Sequence, residues 1–331
     1  MNPQTPSFQT VLDSLLAAGK EFPRRYLPYF SDIGPLELKT LLEVWSRVAP
    51  DRKLSLLKGL DSLAETDTLV NYDDFARAIL DDPDANVRTH ALRLLDECED
   101  LKLVPAYMGL LKNDPDANVR AEAANALNLF VDLGELEEIP EEAYGEIQSA
   151  LLESARGEKE AKVRRRALES LGWSSNPEVV ELIESAFDGN IDWKVSALTA
   201  MGRSADDRWE DRVLRSMLED NDKVRKAAVQ SAGMLGFKSA RLPLLRMLES
   251  EENDEVVMAA IWSLSQIGGE DVQTYIETLL DQTEDDDMIE FLEEALDNLA
   301  FTEDLDRFEL MSFDPDDLED LDEVDEDEEE E

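Results

Sequence analysis

The sequence of 331 residues contains one cysteine, Cys98, and one histidine, His90. A single cysteine excludes an internal disulfide framework and is typical of a reducing compartment. Catalytic Ser-His-Asp and Cys-His sets would all need the same histidine, so we expect no catalytic residues of these kinds and expect His90 to lie at the surface. The stretch GMLGFKSA lacks the spacing of a glycine-rich phosphate loop. The sequence therefore predicts no cofactor and no metal site.

Basic and aromatic residues are also scarce. Lysine and arginine total 32 against 79 aspartate and glutamate, so the formal net charge is −47, and aromatics make up 7% of the chain. Such a field repels phosphate backbones and anionic membrane surfaces, which argues against nucleic acid and membranes as partners. The stretch MNPQTPSFQTVLDSLLAAGK lacks a basic start followed by a long apolar run, and no stretch is long enough to span a bilayer. We therefore expect a cytoplasmic protein.

The heptapeptide DPDANVR occurs twice, at residues 82–88 and 114–120. With its valine taken as an anchor, equivalent positions recur at spacings of 32, 44, 30, 31, 32 and 32 residues. These anchors are Val87, Val119, Val163, Trp193, Val224, Val256 and Met288. Self-similarity at periods of 20–50 residues indicates a repeat architecture. The spacing of 44 indicates an insertion near 132–160, where Gly134 and Pro140 bracket a loop before a helix predicted from Glu141 to Ala155.

Each anchor begins an amphipathic helix. The positions four, five and eight residues later are mostly small or apolar, as in Ala91, Leu92 and Leu95, and they share one helical face with the anchor. Trp193, as an anchor, is expected in the core. Six of the seven residues three positions before an anchor are good N-caps, and Glu160 is the exception. The six are Asp84, Asp116, Asn190, Asn221, Asn253 and Asp285. A second apolar helix pattern precedes each cap, and because one helix pair cannot bury its apolar stripe alone, neighbouring pairs must stack.

The units DPDANVRAEAANAL, VRRRALESLG and VRKAAVQSAG resemble the HEAT repeat, in the variant first described from phycobilisome lyases. The chain as a whole looks like uncharacterised bacterial HEAT-repeat proteins. This resemblance implies an all-α, armadillo-type fold, namely a right-handed alpha-alpha superhelix or HEAT-repeat solenoid. We expect an N-terminal extension with a short helix over residues 1–34 and a capping helical pair over 35–70. About seven repeat units follow over 71–301, and an acidic tail over 302–331.

The tail predicted over 302–331 contains 18 acidic residues and one basic residue, Arg307. Its final stretch, DEVDEDEEEE, cannot form a packed core, so the tail should be largely disordered. The preceding stretch LDRFELMSFDPDDLEDL mixes acidic and apolar residues. Mixtures of this kind can dock in grooves, so this stretch could cap the last helical pair or engage a basic partner.

A basic residue directly follows five of the anchors, and these residues form what we call the cation ladder. They are Arg88, Arg120, Arg164, Lys194 and Arg225. The position lies inside the apolar arc, where a partly buried cation is costly unless it is paired. We expect carboxylates or carbonyls of an adjacent turn as partners and a structural role, as in the ladder known from HEAT repeats. The ladder stops before the last two anchors, whose units should pack by apolar contact alone.

Four residues are candidates for partner binding. Trp262 is the only non-polar residue among those six positions after an anchor, and Trp173 follows a predicted helix end. Exposed tryptophans of this kind can anchor a partner, although Trp262 could instead pack under the C-terminal segment or fill a gap. Arg165 and Arg166, in the basic stretch KVRRRAL, could bind an acidic segment or simply form a solvated face.

These observations favour a non-catalytic scaffold or adaptor that binds a basic protein or peptide on the solenoid surface. One alternative is a HEAT-like enzyme or enzyme-assisting subunit related to the lyases or oxidoreductases. The diiron hydroxylases of that fold need repeated His-Glu pairs, whereas Ala91 follows the one histidine here. A second alternative is an acidic nucleic-acid mimic that sequesters a basic partner through its tail. The oligomeric state stays open.

Overall fold

The computed structural model describes residues 7–17, 19 and 21–312, and within this part of the chain all regular secondary structure is helical. The predicted all-α fold class is therefore confirmed. The chain divides into two compact units, Met1–Glu184 and Ser185–Glu331. Each unit is built from helical pairs stacked in sequence order.

The first unit contains the helices of the extension, the predicted cap and the first repeats. They are α1 (Phe8–Leu16), α2 (Pro35–Trp45), α3 (Pro50–Ala64), α4 (Asp73–Ala78), α5 (Ala85–Arg93), α6 (Val104–Asn113), α7 (Ala117–Ala126), α8 (Asn128–Glu135), α9 (Glu141–Gly157) and α10 (Ala161–Ser170). Short 3-10 helices span Arg24–Phe30, Leu101–Leu103 and Leu171–Trp173. Helix α11 (Pro177–Phe187) contains the boundary between the units.

The second unit continues the same alternation. Its helices are α12 (Ile191–Arg203), α13 (Glu210–Ser216), α14 (Asp222–Met234), α15 (Arg241–Leu248), α16 (Asp254–Ile267), α17 (Glu270–Gln282) and α18 (Asp286–Ser312). Short 3-10 helices span Asp207–Trp209 and Lys238–Ala240. Residues 302–312 of the predicted tail therefore continue α18, since the apolar residues there allow the helix to persist. The remainder of the predicted disordered tail lies outside the described residues.

The anchor-bearing helix of every repeat begins directly after its predicted N-cap. The side chain of Asp84 accepts a hydrogen bond from the backbone N–H of Asn86 at 2.9 Å, and Asn221 accepts from Lys223 at 3.1 Å and Val224 at 3.3 Å. Glu160 makes no such bond. These caps satisfy backbone donors that the first turn of a helix leaves without partners.

The anchor-bearing helices lie side by side within each unit. Helix α7 contacts α5 and α10 in the first unit, and α12, α14, α16 and α18 follow one another in the second. Five valine anchors are buried: Val87, Val119, Val163, Val224 and Val256. Trp193 is only half-buried, against expectation. Its indole is larger than the valine side chains at the other anchors, and a Cβ on Gly189, in the preceding turn, would lie 2.8 Å from the Cβ of Trp193.

A second set of inter-repeat contacts comes from serines seven residues after an anchor. Ser231 donates to the carbonyl of Leu198 at 2.7 Å, and Ser263 donates to the carbonyl of Val229 at 2.9 Å. The serines lie where glycines of the preceding helix leave room, because a Cβ on Gly233 would be 2.7 Å from the Cα of Ser263. Backbone-to-backbone packing of this closeness requires the small residues found there.

Helix α3 has the register of a further repeat. Leu56, Leu57 and Leu60 are fully buried at the positions four, five and eight residues after Arg52, which occupies the anchor position. Arg52 is 4% exposed and donates to the carbonyl of Ala17 in the N-terminal extension at 3.0 Å. The segment 35–70 thus contains a helix pair whose second helix follows the repeat pattern, with arginine in place of the apolar anchor.

The insertion forms the end of α8, a loop over 136–140 and α9. Helix α9 begins at Glu141, as predicted, and continues to Gly157. Its Tyr144 ring packs directly on Gly134 of α8, where a Cβ would lie 2.2 Å from the ring. The Tyr144 hydroxyl donates to Glu135, and burial together with this contact raises the pKa of Tyr144 to about 12. The inserted helix is therefore packed into the first unit rather than held away from it.

Candidate protein-interaction site

The arginines of the cation ladder bind two groups at once. In the first unit, the Nε and Nη2 atoms of Arg88 each donate to the carboxylate of Asp114 at 2.8 Å, while Nη1 donates to the carbonyl of Asp82 at 2.8 Å. In the second unit, Arg225 makes the same fork to Glu251 at 2.8 and 2.9 Å. Bidentate pairs of this kind combine charge with fixed geometry, so Arg88 and Arg225 each connect their own turn to that of the next repeat.

The acceptor carboxylates lie five residues before the following anchor. Arg120 reaches Glu158 at 3.1 Å, and Lys194 reaches Glu219 at 2.8 Å. The shared position places an acidic residue in each of these turns: Asp82, Asp114, Glu158, Glu219 and Glu251. The hydrogen bonds from their arginines are the main cause that lowers the pKa of Glu158 and of Glu251 below its usual range. The sequence analysis expected carboxylates or carbonyls of an adjacent turn but did not name these residues, although their regular acidic position was a visible signal.

The ladder also begins one repeat earlier than the sequence indicated. Lys53 of α3 donates to Asp82 at 2.7 Å, and the indole N–H of Trp45 donates to the same oxygen at 2.7 Å. Burial opposes ionisation of Asp82, but hydrogen bonds from Lys53, the backbone N–H of Asp84 and Trp45 outweigh it and hold the pKa of Asp82 below its usual range. Lys53 was overlooked because Arg52, not an apolar residue, occupies the anchor before it.

Three of the predicted basic residues lie together on α10. Arg164 donates to the carbonyls of Glu158 at 2.5 Å and Lys159 at 3.0 Å. Arg166 is exposed and pairs with Glu169 of its own helix at 2.7 Å, and Arg165 is half-buried. The structure therefore engages Arg164 and Arg166 with groups of the chain itself, which weakens the case for a basic surface that recruits an acidic partner.

Trp173 is half-buried at the end of the repeat that follows the insertion. Its indole N–H donates to the side-chain oxygen of Asn128 on α8 at 2.8 Å. The neighbouring Ser174 accepts a hydrogen bond from the side-chain amide of Gln148 on α9 at 2.8 Å. Trp173 thus supports the packing of the inserted helices, a role that needs no partner.

Trp262 lies on a different kind of surface. Its side chain is 38% exposed, and its ring lies 6.5 Å from that of Phe291 on α18, with an angle of 35° between the ring planes. The two rings line a groove of about 630 Å³ that runs across the anchor-bearing helices of the second unit. Met234, 44% exposed, and Met258, 39% exposed, continue the apolar lining.

The groove arises because three of these four helices present the same register to solvent. On α16 the residues two, six and ten positions after the anchor face it, namely Met258, Trp262 and Gln266, whereas α18 contributes Phe291, three positions after its anchor. Gln230 and Met234 occupy the six and ten positions on α14. Sequence inspection singled out Trp262 but missed Met234, Met258 and Phe291. The signal for the methionines was their position two and ten residues after an anchor, on the solvent-facing side of the helix.

In the first unit, the residues six positions after the first two anchors, Arg93 and Asn125, are polar and paired across neighbouring helices. Arg93 of α5 contacts Glu122 of α7 at 3.2 Å, and Asn125 of α7 donates to Asp96 at 3.1 Å. These contacts satisfy the polar groups within the chain. The second unit instead presents thioether and aromatic groups, which adapt to and anchor partners in protein interfaces.

Charged residues border the groove of the second unit. Lys226 of α14 pairs with Glu255 of α16 at 2.7 Å within its lining. Asp287 and Glu294 are exposed and stand four residues before and three residues after Phe291, so they share its face of α18. The charged residues in the lining itself are Arg203, Lys226 and Glu255.

The two side chains best suited to catalysis, those of His90 and Cys98, make contacts within the fold. His90, expected at the surface, is buried, because its Nδ1 atom lies 2.5 Å from the carboxylate of Asp61 on α3. Cys98 is half-buried, with its Sγ atom 3.7 Å from a nitrogen of Arg77, and burial raises the pKa of its thiol. A raised thiol pKa reduces the nucleophilic thiolate fraction. Within residues 7–17, 19 and 21–312, no helix is both long and apolar enough to cross a membrane.

Comparison with known families matches residues 74–141 and 211–297 to the model for HEAT repeats. These two segments are HEAT repeats. The matched segments include the ladder arginines Arg88, Arg120 and Arg225 as well as the groove around Trp262, so both features belong to the HEAT repeats.

Solved structures give more distant likenesses. YibA of Escherichia coli is 18% identical, with 86% of this chain and 98% of that chain covered and a TM-score of 0.41. An engineered protein is 15% identical, with 88% of each chain covered and a TM-score of 0.38. Among curated proteins, no relative matches the chain.

Proposed function

We propose that this protein is a non-catalytic interaction scaffold that binds a basic protein or peptide. The observation that carries the proposal is the groove around Trp262, where a half-exposed tryptophan, two methionines and Phe291 face solvent together. Tryptophan in a partly enclosed pocket is the residue type most often found to dominate interface energetics. Adjacent repeats extend such a surface over several helices.

The charge of the chain supports a basic partner. A formal net charge of −47 attracts cations over distances of about 10 Å at 0.1 M salt and accelerates encounters with basic surfaces. The same charge opposes nucleic acid as a partner. The packing of His90 against Asp61 and of Cys98 beside Arg77 supports a role without catalysis.

The proposal is tested by affinity capture of basic proteins with the immobilised full chain at about 50 mM and 500 mM NaCl, where screening lengths differ severalfold. We expect capture at low salt, loss at high salt, and marked weakening in Trp262→Ala. The matched control is Leu218→Ala, which removes another exposed apolar side chain of the second unit, 78% exposed, outside this groove. Recovery of nothing above background from the unaltered chain at low salt would contradict the scaffold function.

A further inference from the structure

The groove around Trp262 contains two methionines that are more exposed than the others. Met234 is 44% exposed and Met258 is 39% exposed, and both line the groove. The other methionines whose side chains the structure describes are buried or half-buried: Met108, Met201, Met217, Met247 and Met288. The two most exposed methionines of the described chain therefore lie on the same surface, which is also the surface that carries the proposed function.

We infer that Met234 and Met258 are oxidised to methionine sulfoxide by peroxides, and that this modification closes the groove to apolar side chains. The inference concerns regulation of the proposed scaffold function and rests on it. With hydrogen peroxide, a lone pair of the thioether sulfur attacks one peroxide oxygen, so that an S–O bond forms as the O–O bond breaks. The proton of that oxygen passes to the other oxygen, which leaves as water. Sulfur loses two electrons and the peroxide gains them.

The one thiol of the chain is a poorer target for the oxidant. Cys98 is half-buried, and burial raises the pKa of its thiol. The thiolate is the form that attacks an oxidant, and a raised thiol pKa reduces its fraction. A thioether has no proton to lose, so its reaction depends on access instead. Access favours Met234 and Met258 over the other methionines whose side chains the structure describes.

The register of the helices places a cationic donor in the same row as each methionine. Lys226 and Met258 stand two residues after the anchors of the adjacent helices α14 and α16. Arg203 and Met234 stand ten residues after the anchors of the adjacent helices α12 and α14. A thioether sulfur is a weak hydrogen-bond acceptor, whereas a sulfoxide oxygen accepts well from cations. Lys226 also pairs with Glu255 at 2.7 Å, but its ammonium has three donors and serves both groups.

Oxidation changes what the groove can bind. Met258 lies one helical turn before Trp262 on α16, and Met234 lies on the adjacent α14. Sulfoxide formation converts two flexible apolar side chains into polar ones, which disrupts methionine-rich interfaces. An apolar side chain of a partner then meets polar groups beside Trp262. Methionine sulfoxide reductases reverse the reaction, so the groove has an open reduced state and a closed oxidised state.

The test uses the full chain and a probe that needs no partner. The probe is N-phenyl-1-naphthylamine, an uncharged dye whose fluorescence rises in apolar surroundings. Dye binding that is lost in Trp262→Ala and retained in Leu218→Ala places the dye in this groove. The chain is then treated with hydrogen peroxide, and peptide mass spectrometry follows the oxidation of each methionine.

We expect Met234 and Met258 to be oxidised at least about fivefold faster than the buried Met201 and Met217. Dye binding should weaken by about tenfold or more once both groove methionines are sulfoxides, since the dye loses two apolar contacts. Methionine sulfoxide reductases for both sulfoxide epimers should restore it. Capture of basic proteins at about 50 mM NaCl, where long-range charge attraction persists, should fall and recover in parallel.

Matched variants identify the responsible side chains. Met234→Leu/Met258→Leu keeps the apolar volume, so it should bind the dye like the unaltered chain and retain it after peroxide. Met108→Leu/Met247→Leu removes two half-buried methionines outside the groove lining, and it should stay as sensitive to peroxide as the unaltered chain. Met234→Gln/Met258→Gln makes the two positions polar and should bind the dye weakly without peroxide. Thermal melts of each variant establish that the fold is retained.

Four results would overturn the inference. They are absence of dye binding to the unaltered chain, equal oxidation of groove and buried methionines, unchanged dye binding when both groove methionines are sulfoxides, and equal peroxide sensitivity of Met234→Leu/Met258→Leu and the unaltered chain. In each case, capture of basic proteins by the untreated chain still supports the scaffold function. Failure of that capture rejects the scaffold function itself, whatever the dye reports.

Discussion

Single side chains decide how closely consecutive repeats approach. On α14, Gly233 packs against the backbone of Ser263, and a Cβ there would lie 2.7 Å from the Cα of Ser263. The contact involves backbone, which cannot move as a flexible side chain can. The absence of a side chain at this position therefore maintains the spacing between α14 and α16 and, with it, the hydrogen bond from Ser263 to the carbonyl of Val229 at 2.9 Å.

We expect Gly233→Ala to lower the free energy of unfolding by about 1–3 kcal/mol through overpacking. The matched change is Gly145→Ala in α9, where a Cβ would meet nothing within 4 Å. There the higher helix propensity of alanine should raise stability by about 0.5–1 kcal/mol. Urea titration of both variants measures the two effects. Destabilisation of equal size at the two sites would contradict the view that contact with Ser263 sets the helix spacing.

At the scale of elements, the cation ladder holds one helical pair to the next. The carboxylate of Glu251 accepts both arms of the Arg225 fork and also a backbone N–H from Asn253 at 3.0 Å, so it caps the following turn as well. The side chain of Arg225 is 18% exposed and that of Glu251 is 8% exposed. Removal of the charge on Glu251 therefore leaves a largely buried guanidinium without its main partner.

We expect Glu251→Gln to lower the free energy of unfolding by about 1–3 kcal/mol at pH 7. Arg225 lowers the pKa of Glu251 in the folded protein. A group with a lowered folded pKa contributes stability above its unfolded pKa, about 4.3 for glutamate, and loses that contribution as pH falls through the folded value. The difference between the unaltered chain and the variant should therefore shrink as pH falls from about 5 towards 3.

The control for this prediction is Asp211→Asn. Asp211 pairs with Arg215 of its own helix at 2.8 Å, but the two side chains are 83% and 76% exposed. Such surface pairs contribute only about 0–0.5 kcal/mol. The urea midpoint of this variant should therefore stay close to that of the unaltered chain at every pH. Urea midpoints measured from pH 3 to pH 7 give the comparison. If the urea midpoints of the unaltered chain and Glu251→Gln differ by a constant amount down to pH 3, the difference is not caused by ionisation of Glu251.

The same elements show what the sequence can and cannot reveal. The valine anchors and their caps repeat in fixed register, so the anchor-bearing helices and the start of α9 at Glu141 are predictable. Helix α3 was not recognised as a repeat because Arg52 stands where an apolar anchor is expected, and its hydrogen bond to the carbonyl of Ala17 is visible only in the structure. The burial of His90 could not be predicted, since its partner Asp61 lies 29 residues away in another repeat.

The candidate site was predictable only in part, for a similar reason. Trp262 departs from the polar residues at the equivalent positions of other repeats, and this contrast is visible in one sequence. The groove depends on neighbours from three further helices, among them Phe291, whose ring approaches Trp262 from α18. Which side chains meet across helices is decided by packing angles and spacings, which periodicity alone does not provide.

At the scale of the whole molecule, the net charge of −47 acts on every repeat at once. Four of the ladder cations pair with carboxylates, but 79 acidic residues face 32 basic ones, so negative charges are in large excess and repel one another. Self-repulsion of this kind destabilises the compact state. Salt weakens it, because the Debye length falls from about 10 Å at 0.1 M to about 3 Å at 1 M.

The melting temperature of the full chain should therefore rise with NaCl from about 10 mM and level off between about 0.3 and 1 M, where screening is nearly complete. KCl at equal ionic strength should give the same curve, since screening depends on ionic strength and not on the cation. A surface adapted to high salt would behave differently, with a rise that continues through several molar. A melting temperature that stays constant or decreases as NaCl is raised to about 0.3 M would show that the acidic surface does not destabilise the fold. The acidity would then be explained by partner recognition alone.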